Sequence, residues 1–193
     1  KFTKSAKHLL KGYRKDVIFK TQDVPVDPYF LGLWLGDGTS ANGNVTSMDF
    51  EIRSYLKQYA DELYSQYKEY SKVNDRAVTC TITKPRKGIP LKTKLRILGV
   101  LNNKHIPKKY LINNKAVRSA VLAGIIDSDG SNNQGCIDII FKNKTLAEDT
   151  LFLARSLGLE AHFTKEKVID GTTYYRFSIS GDFGNIPVKL KRK

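Results

Sequence analysis

The chain has 193 residues, 40% of them hydrophobic and 10% aromatic, enough apolar material for a real core and too much for a disordered tail. No apolar run approaches the roughly 18 residues that a membrane-spanning helix needs. Lysine and arginine number 33 against 19 acids, a net charge of +14, so a polyanion is the first partner to consider, nucleic acid ahead of an anionic membrane. Cys80 and Cys136 stand apart, without zinc-site spacing, and read as reduced core residues. With no secretion signal at the N-terminus, a reducing, intracellular setting is expected. The chain starts and stops in basic residues without an initiator methionine and reads as a piece of something longer.

In chain order, residues 1–24 form a basic lead-in, either an arm, a strand or a solvated linker. Residues 30–38 then read FLGLWLGDG, and residues 122–130 read LAGIIDSDG. At this one offset, 122 − 30 = 92, Gly32 meets Gly124, Leu33 meets Ile125, Gly36 meets Ser128, Asp37 meets Asp129 and Gly38 meets Gly130. The chain therefore divides into two related halves, residues 25–114 and 115–193.

After the first motif a Gly/Asn turn leads to residues 47–53, where Met48, Phe50 and Ile52 alternate with Ser47, Asp49, Glu51 and Arg53. That alternation predicts a half-buried strand. Residues 54–70, with Leu56, Ala60, Leu63 and Tyr67 near a helical period, predict a helix, and Val78, Cys80 and Ile82 a second strand. Residues 93–101 predict a short helix, and Pro107 suits the first turn of another. In the second half Ile137, Ile139 and Phe141 mark a strand, residues 144–157 a helix, and Tyr175, Phe177 and Ile179 a further strand. Each half reads helix, strands, helix, strands.

If each motif is a helix, Gly32 with Gly36, and Gly124 with Ser128, lie one turn apart on one face. These two stripes without large side chains let two backbones approach closely, so the motif helices are expected to pack together at the centre. Gly38 and Gly130 suit a left-handed residue closing each helix. Asp37 and Asp129 each add negative charge where a helix end is already negative, at a cost of up to about 1 kcal/mol. Two such carboxylates facing across a small gap repel unless a cation lies near them. Oxygen ligands suit magnesium or calcium, and magnesium commonly takes one or two carboxylates plus substrate phosphates. A basic chain with a central acidic pair points to metal-assisted phosphodiester hydrolysis.

These motifs resemble the twin signature of the LAGLIDADG homing endonucleases, the second strongly. The first has Leu35 where the family pattern has an acid, a departure similar to that of endonuclease domains carried inside inteins, particularly fungal ones. Lys104-His105-Ile106-Pro107 and Leu153-Ala154-Arg155-Ser156-Leu157-Gly158-Leu159 resemble further family elements, so the likeness spans about residues 25 to 193. The resemblance implies an α+β fold of two pseudo-symmetric αββαββα halves, with motif helices at the interface and curved antiparallel sheets forming a saddle for DNA. Asp37 and Asp129 would bind Mg2+, with Mn2+ or Ca2+ as substitutes, in a metal site that includes Gly36 and Ser128. Asp127 is not expected to be catalytic, since its counterpart Leu35 has no carboxylate. A basic residue in each half would assist: Lys104 in the first, and in the second Lys193, with Lys191 next.

The strand faces complete this expectation. Ser47, Asp49, Glu51, Arg53, Thr79, Thr81 and Thr83, with Tyr174, Arg176 and Ser178, can reach base edges from a β-ribbon in the major groove. Lys84, Arg86, Lys87, Lys92, Lys94 and Lys142 flank them and would contact phosphate. The implied protein is a monomeric, magnesium-dependent, site-specific double-strand DNA endonuclease with a long asymmetric target, no membrane association and no small-molecule substrate. The alternative is a non-cleaving binder on the same fold, either a relative of RNA maturases or a cleavage-dead DNA-binding domain. Residue 1 is no splicing nucleophile and no terminal His-Asn pair is present, so the chain reads as an endonuclease domain normally embedded in an intein splicing domain. In a eukaryote its compartment would be the nucleus.

Overall fold

The structure is a computed structural model, and it describes residues 14–71 and 76–193. The elements are α1 (Pro28–Asp37), β1 (Val45–Ser47), α2 (Phe50–Glu62), β2 (Tyr67–Tyr70), β3 (Val78–Ile82), α3 (Leu91–Ile97) and α4 (Lys108–Leu111). The second half supplies α5 (Lys115–Asp129), β4 (Ser131–Asn133), β5 (Cys136–Phe141), α6 (Lys144–Ser156), β6 (Glu160–Ile169) and β7 (Thr172–Ser180). Two antiparallel sheets result, ordered β1-β3-β2 and β4-β5-β7-β6. This is the expected α+β architecture.

The motif helices α1 and α5 pack against each other at the centre. The Asp27 carboxylate accepts from the Phe30 amide at 2.8 Å and Pro28 follows, so α1 starts with both a cap and a preset φ. Asn114 caps α5 through the Val117 amide at 2.9 Å. The two backbones touch where the glycines fall. A β-carbon added at Gly32 would lie 2.0 Å from the Val121 carbonyl oxygen, and one at Gly124 2.2 Å from that of Tyr29. No side chain fits between the helices there.

Around this pair the sheets turn their apolar faces inward. Ile137 and Ile139 of β5 lie opposite Ile179 and Phe177 of β7, all four buried, while Cys80 of β3 is buried under α2. Residues opposite one another in antiparallel strands share a face, so the outward face of the first sheet carries Thr46, Thr79, Tyr70, Lys68 and Thr81. The outward face of the second carries Ser131, Asp138, Ser178 and His162, then Ile140, Arg176 and Lys165, then Tyr174 and Lys167.

Four expectations are corrected. Residues 47–53 are not a strand: β1 ends at Ser47 and α2 begins at Phe50, because Ile52, Leu56, Tyr59 and Ala60 bury at helical spacing while Met48 and Phe50 stay exposed. Among the described residues the first half thus has one strand before its second helix where two were implied, and the first sheet has three strands where four were implied. The helix predicted over 54–70 stops at Glu62, where Tyr64 takes a positive φ of 52°, and Tyr67 belongs to β2. Gly38 and Gly130 are extended, at φ −80° and −72°, not left-handed. Glycine is required at Gly38 for space: an added β-carbon would lie 2.3 Å from the Trp34 carbonyl oxygen.

Of the lead-in, residues 1–13 lie outside the described residues. Residues 14–24 form neither a regular strand nor a free linker. The Val17 amide donates to the Ser156 carbonyl at 2.8 Å, and the buried Arg118 guanidinium donates to the carbonyls of Val17, Ser156 and Asn113. Gln22 donates to the Ile112 carbonyl and exchanges hydrogen bonds with Asn113.

Candidate active site

Both motif helices end at an aspartate, and each end is closed by a lysine. Lys104 Nζ donates to the carbonyls of Gly36 at 3.1 Å and Gly38 at 2.7 Å, and lies 5.2 Å from the centre of the Trp34 ring. Lys193 Nζ donates to the carbonyl of Gly130, the counterpart of Gly38 in the other half. A cation on the last carbonyls of a helix opposes the negative end of its dipole. The two lysines therefore stabilise the helix ends that carry the carboxylates.

The carboxylates are close-set. A β-carbon on Gly36 would meet Asp129 Oδ2 at 2.3 Å and Ser128 Oγ at 2.1 Å, so the missing side chain of one motif makes room for the acid of the other. Burial, and then the charge of Asp129, push the Asp37 carboxyl up to about 6, with Lys104 and Lys193 pulling it back. Burial raises Asp129 as well, against the same two lysines. Both lysines are in turn held below the ordinary lysine range, chiefly by burial. Asp37 as a whole residue stays accessible to solvent although its carboxyl is surrounded by protein, and Asp129 is half-buried, so the pair opens outward.

These residues fit a divalent cation that is completed from outside. Among the described residues no group of three or more His, Cys, Asp or Glu converges on one point. Two carboxylates repelling each other at an open mouth leave the rest of a six-oxygen shell to water and phosphate, the pattern magnesium favours. Gly36 contributes a carbonyl that already accepts from Lys104. The Ser128 hydroxyl donates back to the carbonyls of Gly124 and Ile125, both at 3.0 Å.

Asp127 is structural. It is buried and accepts from the Tyr29 hydroxyl at 2.7 Å and from the amides of Lys189 at 2.6 Å and Leu190 at 3.3 Å. The C-terminal residues are thereby built into the protein. Leu190 is buried, Lys189 Nζ stands 4.8 Å from the ring centres of both Tyr29 and Tyr55, and Asn132 donates to the Lys193 carbonyl at 3.1 Å. Lys193 is delivered to the helix end, whereas Lys191 points to solvent as an exposed residue.

The other predicted residues divide. Thr79, Thr81, Tyr174, Arg176 and Ser178 lie on outward sheet faces as expected, and Lys142 stacks its ammonium 5.3 Å from the Tyr174 ring. Asp138 accepts from Arg176 at 2.8 Å. Thr83 follows β3, and its amide donates to Gln66. Lys84 and Lys92 line a cleft with Asn42 and Arg96, and Arg86 lines another with Lys57, Asp61 and Tyr64. Lys87 is exposed and Lys94 half-buried on α3.

With the strand over 47–53 gone, its polar set has other places. Ser47 is buried, Arg53 pairs with Glu69 at 3.0 Å, Glu51 is exposed in the first turn of α2, and Asp49 holds Arg192. Residues the sequence reading did not single out are Thr46, Lys68, Tyr70, Asp138, Ile140, His162, Lys165 and Lys167. Asp138 and Ile140 were legible as the alternate positions of the strand through Ile137, Ile139 and Phe141.

The family described as homing endonuclease matches residues 105–184. The chain is 33% identical over 144 residues to the replicative DNA helicase DnaB of Mycobacterium intracellulare, a match covering 74% of this chain and 21% of that protein. It is 30% identical over 162 residues to one subunit of the A-type ATP synthase of Pyrococcus abyssi, covering 79% of this chain and 15% of that one. The chain thus spans about a fifth or less of the length of these relatives.

Among solved structures, mesophilic variants of the homing endonuclease I-DmoI superpose with a TM-score of 0.59 at 18% identity, over 80% of this chain and 87% of that one. I-DmoI in complex with DNA and Mn gives 0.57 at 19%, over 80% and 88%. The chain therefore has the fold of a DNA-cleaving homing endonuclease. Its second half also matches that family in sequence.

Proposed function

We propose that the chain is a site-specific, divalent-metal-dependent double-strand DNA endonuclease whose natural place is within an intein. The observation that carries this reading is the pair Asp37 and Asp129 at the ends of two backbone-packed helices, each end closed by a lysine. When bound there, a divalent cation would supply Lewis-acid stabilisation of the phosphate and lower the pKa of an attacking water. Asp37 and Asp129, with the carbonyl of Gly36 beside them, would hold it. Lys104 and Lys193 set positive charge where negative charge develops on the phosphate, an electrostatic role that needs no movement during reaction.

The outward sheet faces suit a duplex, with Thr79, Thr81, Tyr174, Arg176 and Ser178 toward base edges and the flanking lysines toward phosphate. The two faces differ in sequence, so the target would be asymmetric. The I-DmoI structures named above include a complex with DNA and Mn, and another contains DNA and Ca. An intein context is supported by the relatives themselves. A replicative helicase and a component of an ATP synthase are different proteins, yet each matches this chain over only 21% and 15% of its length, the pattern of one module inserted into more than one host. An intracellular location, nuclear in a eukaryote, would follow from acting on chromosomal DNA.

The test is to incubate the protein and Mg2+ with a plasmid carrying a host gene that lacks the insertion, and to map the ends. A single double-strand cut at one site is the expected result. Tight duplex binding without any cut, in Mg2+ and in Mn2+, would overturn the endonuclease reading and leave the non-cleaving binder.

A further inference from the structure

Each lysine closes the helix end of its own half and is held there in part by the other half. The carbonyl of Lys104 accepts from the Asn143 side chain at 2.6 Å, and the amide of Ile106 donates to Asp149 at 2.9 Å. Asn143 is the N-cap of α6 and Asp149 lies within that helix, both in the second half. In the opposite sense, both terminal nitrogens of Arg192, the residue before Lys193, donate to Asp49 at 2.5 and 2.8 Å. Asp49 is the N-cap of α2, in the first half. The two N-caps are 143 − 49 = 94 residues apart, within two residues of the 92 that relates the motifs.

Asp49 also forgoes the usual work of its position. Aspartate is favoured at an N-cap because its carboxylate accepts from the first free amides of the helix, yet Asp49 makes no such bond. Its oxygens are committed to Arg192 instead. The Arg192 side chain is 58% exposed and that of Asp49 17%, and a pair open to solvent on one side contributes about 1 kcal/mol to stability. Besides that contribution, the pair fixes the residue next to Lys193.

We propose that Asp49, through Arg192, and Asn143, through the backbone of Lys104, are positioning residues that present each half's lysine to its own helix end from across the pseudo-twofold. Neither half then assembles its lysine alone. The proposal rests on the endonuclease reading for its kinetic consequence. The strands of a duplex run oppositely about a local twofold, so each helix end would meet one strand, and loss of one latch would slow one strand.

Supercoiled plasmid carrying the mapped target is the substrate, with nicked and linear products timed for wild type, Arg192→Ala, Asn143→Ala, Lys193→Ala and the Arg192→Ala, Lys193→Ala double variant. Misplacing a reacting group by about 1 Å costs up to about a hundredfold. Arg192→Ala is therefore expected to slow one strand between about ten- and a hundredfold, so that nicked circles accumulate, with duplex affinity and urea midpoint close to wild type. Asn143→Ala should slow the opposite strand. In the Lys193→Ala background the Arg192 change should add nothing, because it acts through that lysine. Additive losses, equal slowing of both strands, or a loss confined to affinity would overturn the proposal.

A second measurement needs no DNA. Acylation of lysine amines, read by mass spectrometry, should show Lys193 more reactive in Asp49→Ala than in wild type. Unchanged reactivity would overturn the latch even if the wild-type protein cut nothing, whereas increased reactivity in a non-cutting protein would leave the latch standing and remove the endonuclease reading.

Discussion

The Tyr29 hydroxyl donates to the Asp127 carboxylate at 2.7 Å, joining the start of one motif helix to the last turn of the other. The same carboxylate receives the amides of Lys189 and Leu190. Removing it leaves three donors without a partner in a buried place. Asp127→Ala is therefore expected to cost about 3 kcal/mol, and Tyr29→Phe about 1 kcal/mol. Urea unfolding at pH 7 measures both; equal, small losses would mean that water reaches the site and substitutes for the carboxylate.

The contact between α1 and α5 makes a sharper prediction. At Gly124 an added β-carbon would meet backbone, the Tyr29 carbonyl at 2.2 Å and the Leu33 amide nitrogen at 2.5 Å, and no rotamer relieves that. Gly124→Ala should destabilise by about 3 kcal/mol or more, in the range of severe overpacking. Gly99→Ala is the control for added bulk, since nothing lies within 4 Å there, although its φ of +73° adds strain of its own. A Gly124→Ala variant as stable as wild type would show that the helices can part.

Asp37 sets a pH dependence for the metal-free protein. Its carboxyl is raised from 3.8 to about 6, so the fold favours the neutral form. That contribution is fully present below about 4 and is lost as pH rises through about 6. Stability in chelator should therefore fall between about pH 4 and about pH 6, and Asp37→Asn should be the more stable protein at pH 7, by about 1 kcal/mol once solvent screening of this exposed group is allowed for. Burial raises Asp129 in the same sense, so a residual slope will remain. Identical slopes for the variant and wild type would remove the assignment.

The same substitutions separate binding from cleavage. Asp37→Asn or Asp129→Asn should abolish double-strand cleavage in Mg2+ while leaving duplex affinity largely intact. Lys104→Ala should slow cleavage more than it weakens binding. Full cleavage by either asparagine variant, scored on the mapped target, would displace the metal from this pair.

Duplex affinity should also fall steeply with salt. If six or more lysines and arginines contact phosphate, affinity drops about a thousandfold or more between 50 and 200 mM salt. A gel-shift titration over that range reads the slope, and a flat response would show that the net charge of +14 is not engaged by DNA.

The centre of the molecule was legible because a repeat fixes it. Gly32, Asp37, Gly124 and Asp129 keep one offset, and small residues one turn apart allow only one kind of helix contact. The strands through Cys80, Ile139 and Phe177 were legible from alternation, since each has one buried face. The polar run from Ser47 to Arg53 misled because Met48 and Phe50, although apolar, stay exposed at a helix start. Strand β6 was missed for the opposite reason: beyond Ala161 it lies at a sheet edge with no buried residue, so it leaves no period to read. How the last five residues are held was hidden because Asp127 and Asp49, which hold them, are distant in sequence.

Where Gly32 and Gly124 meet, main chain rests on main chain, and side-chain repacking elsewhere cannot alter that spacing. The outward sheet faces can therefore exchange residues freely without disturbing the acidic pair. Over evolutionary time such a protein can wander from one DNA target to another while its chemical apparatus stays in register.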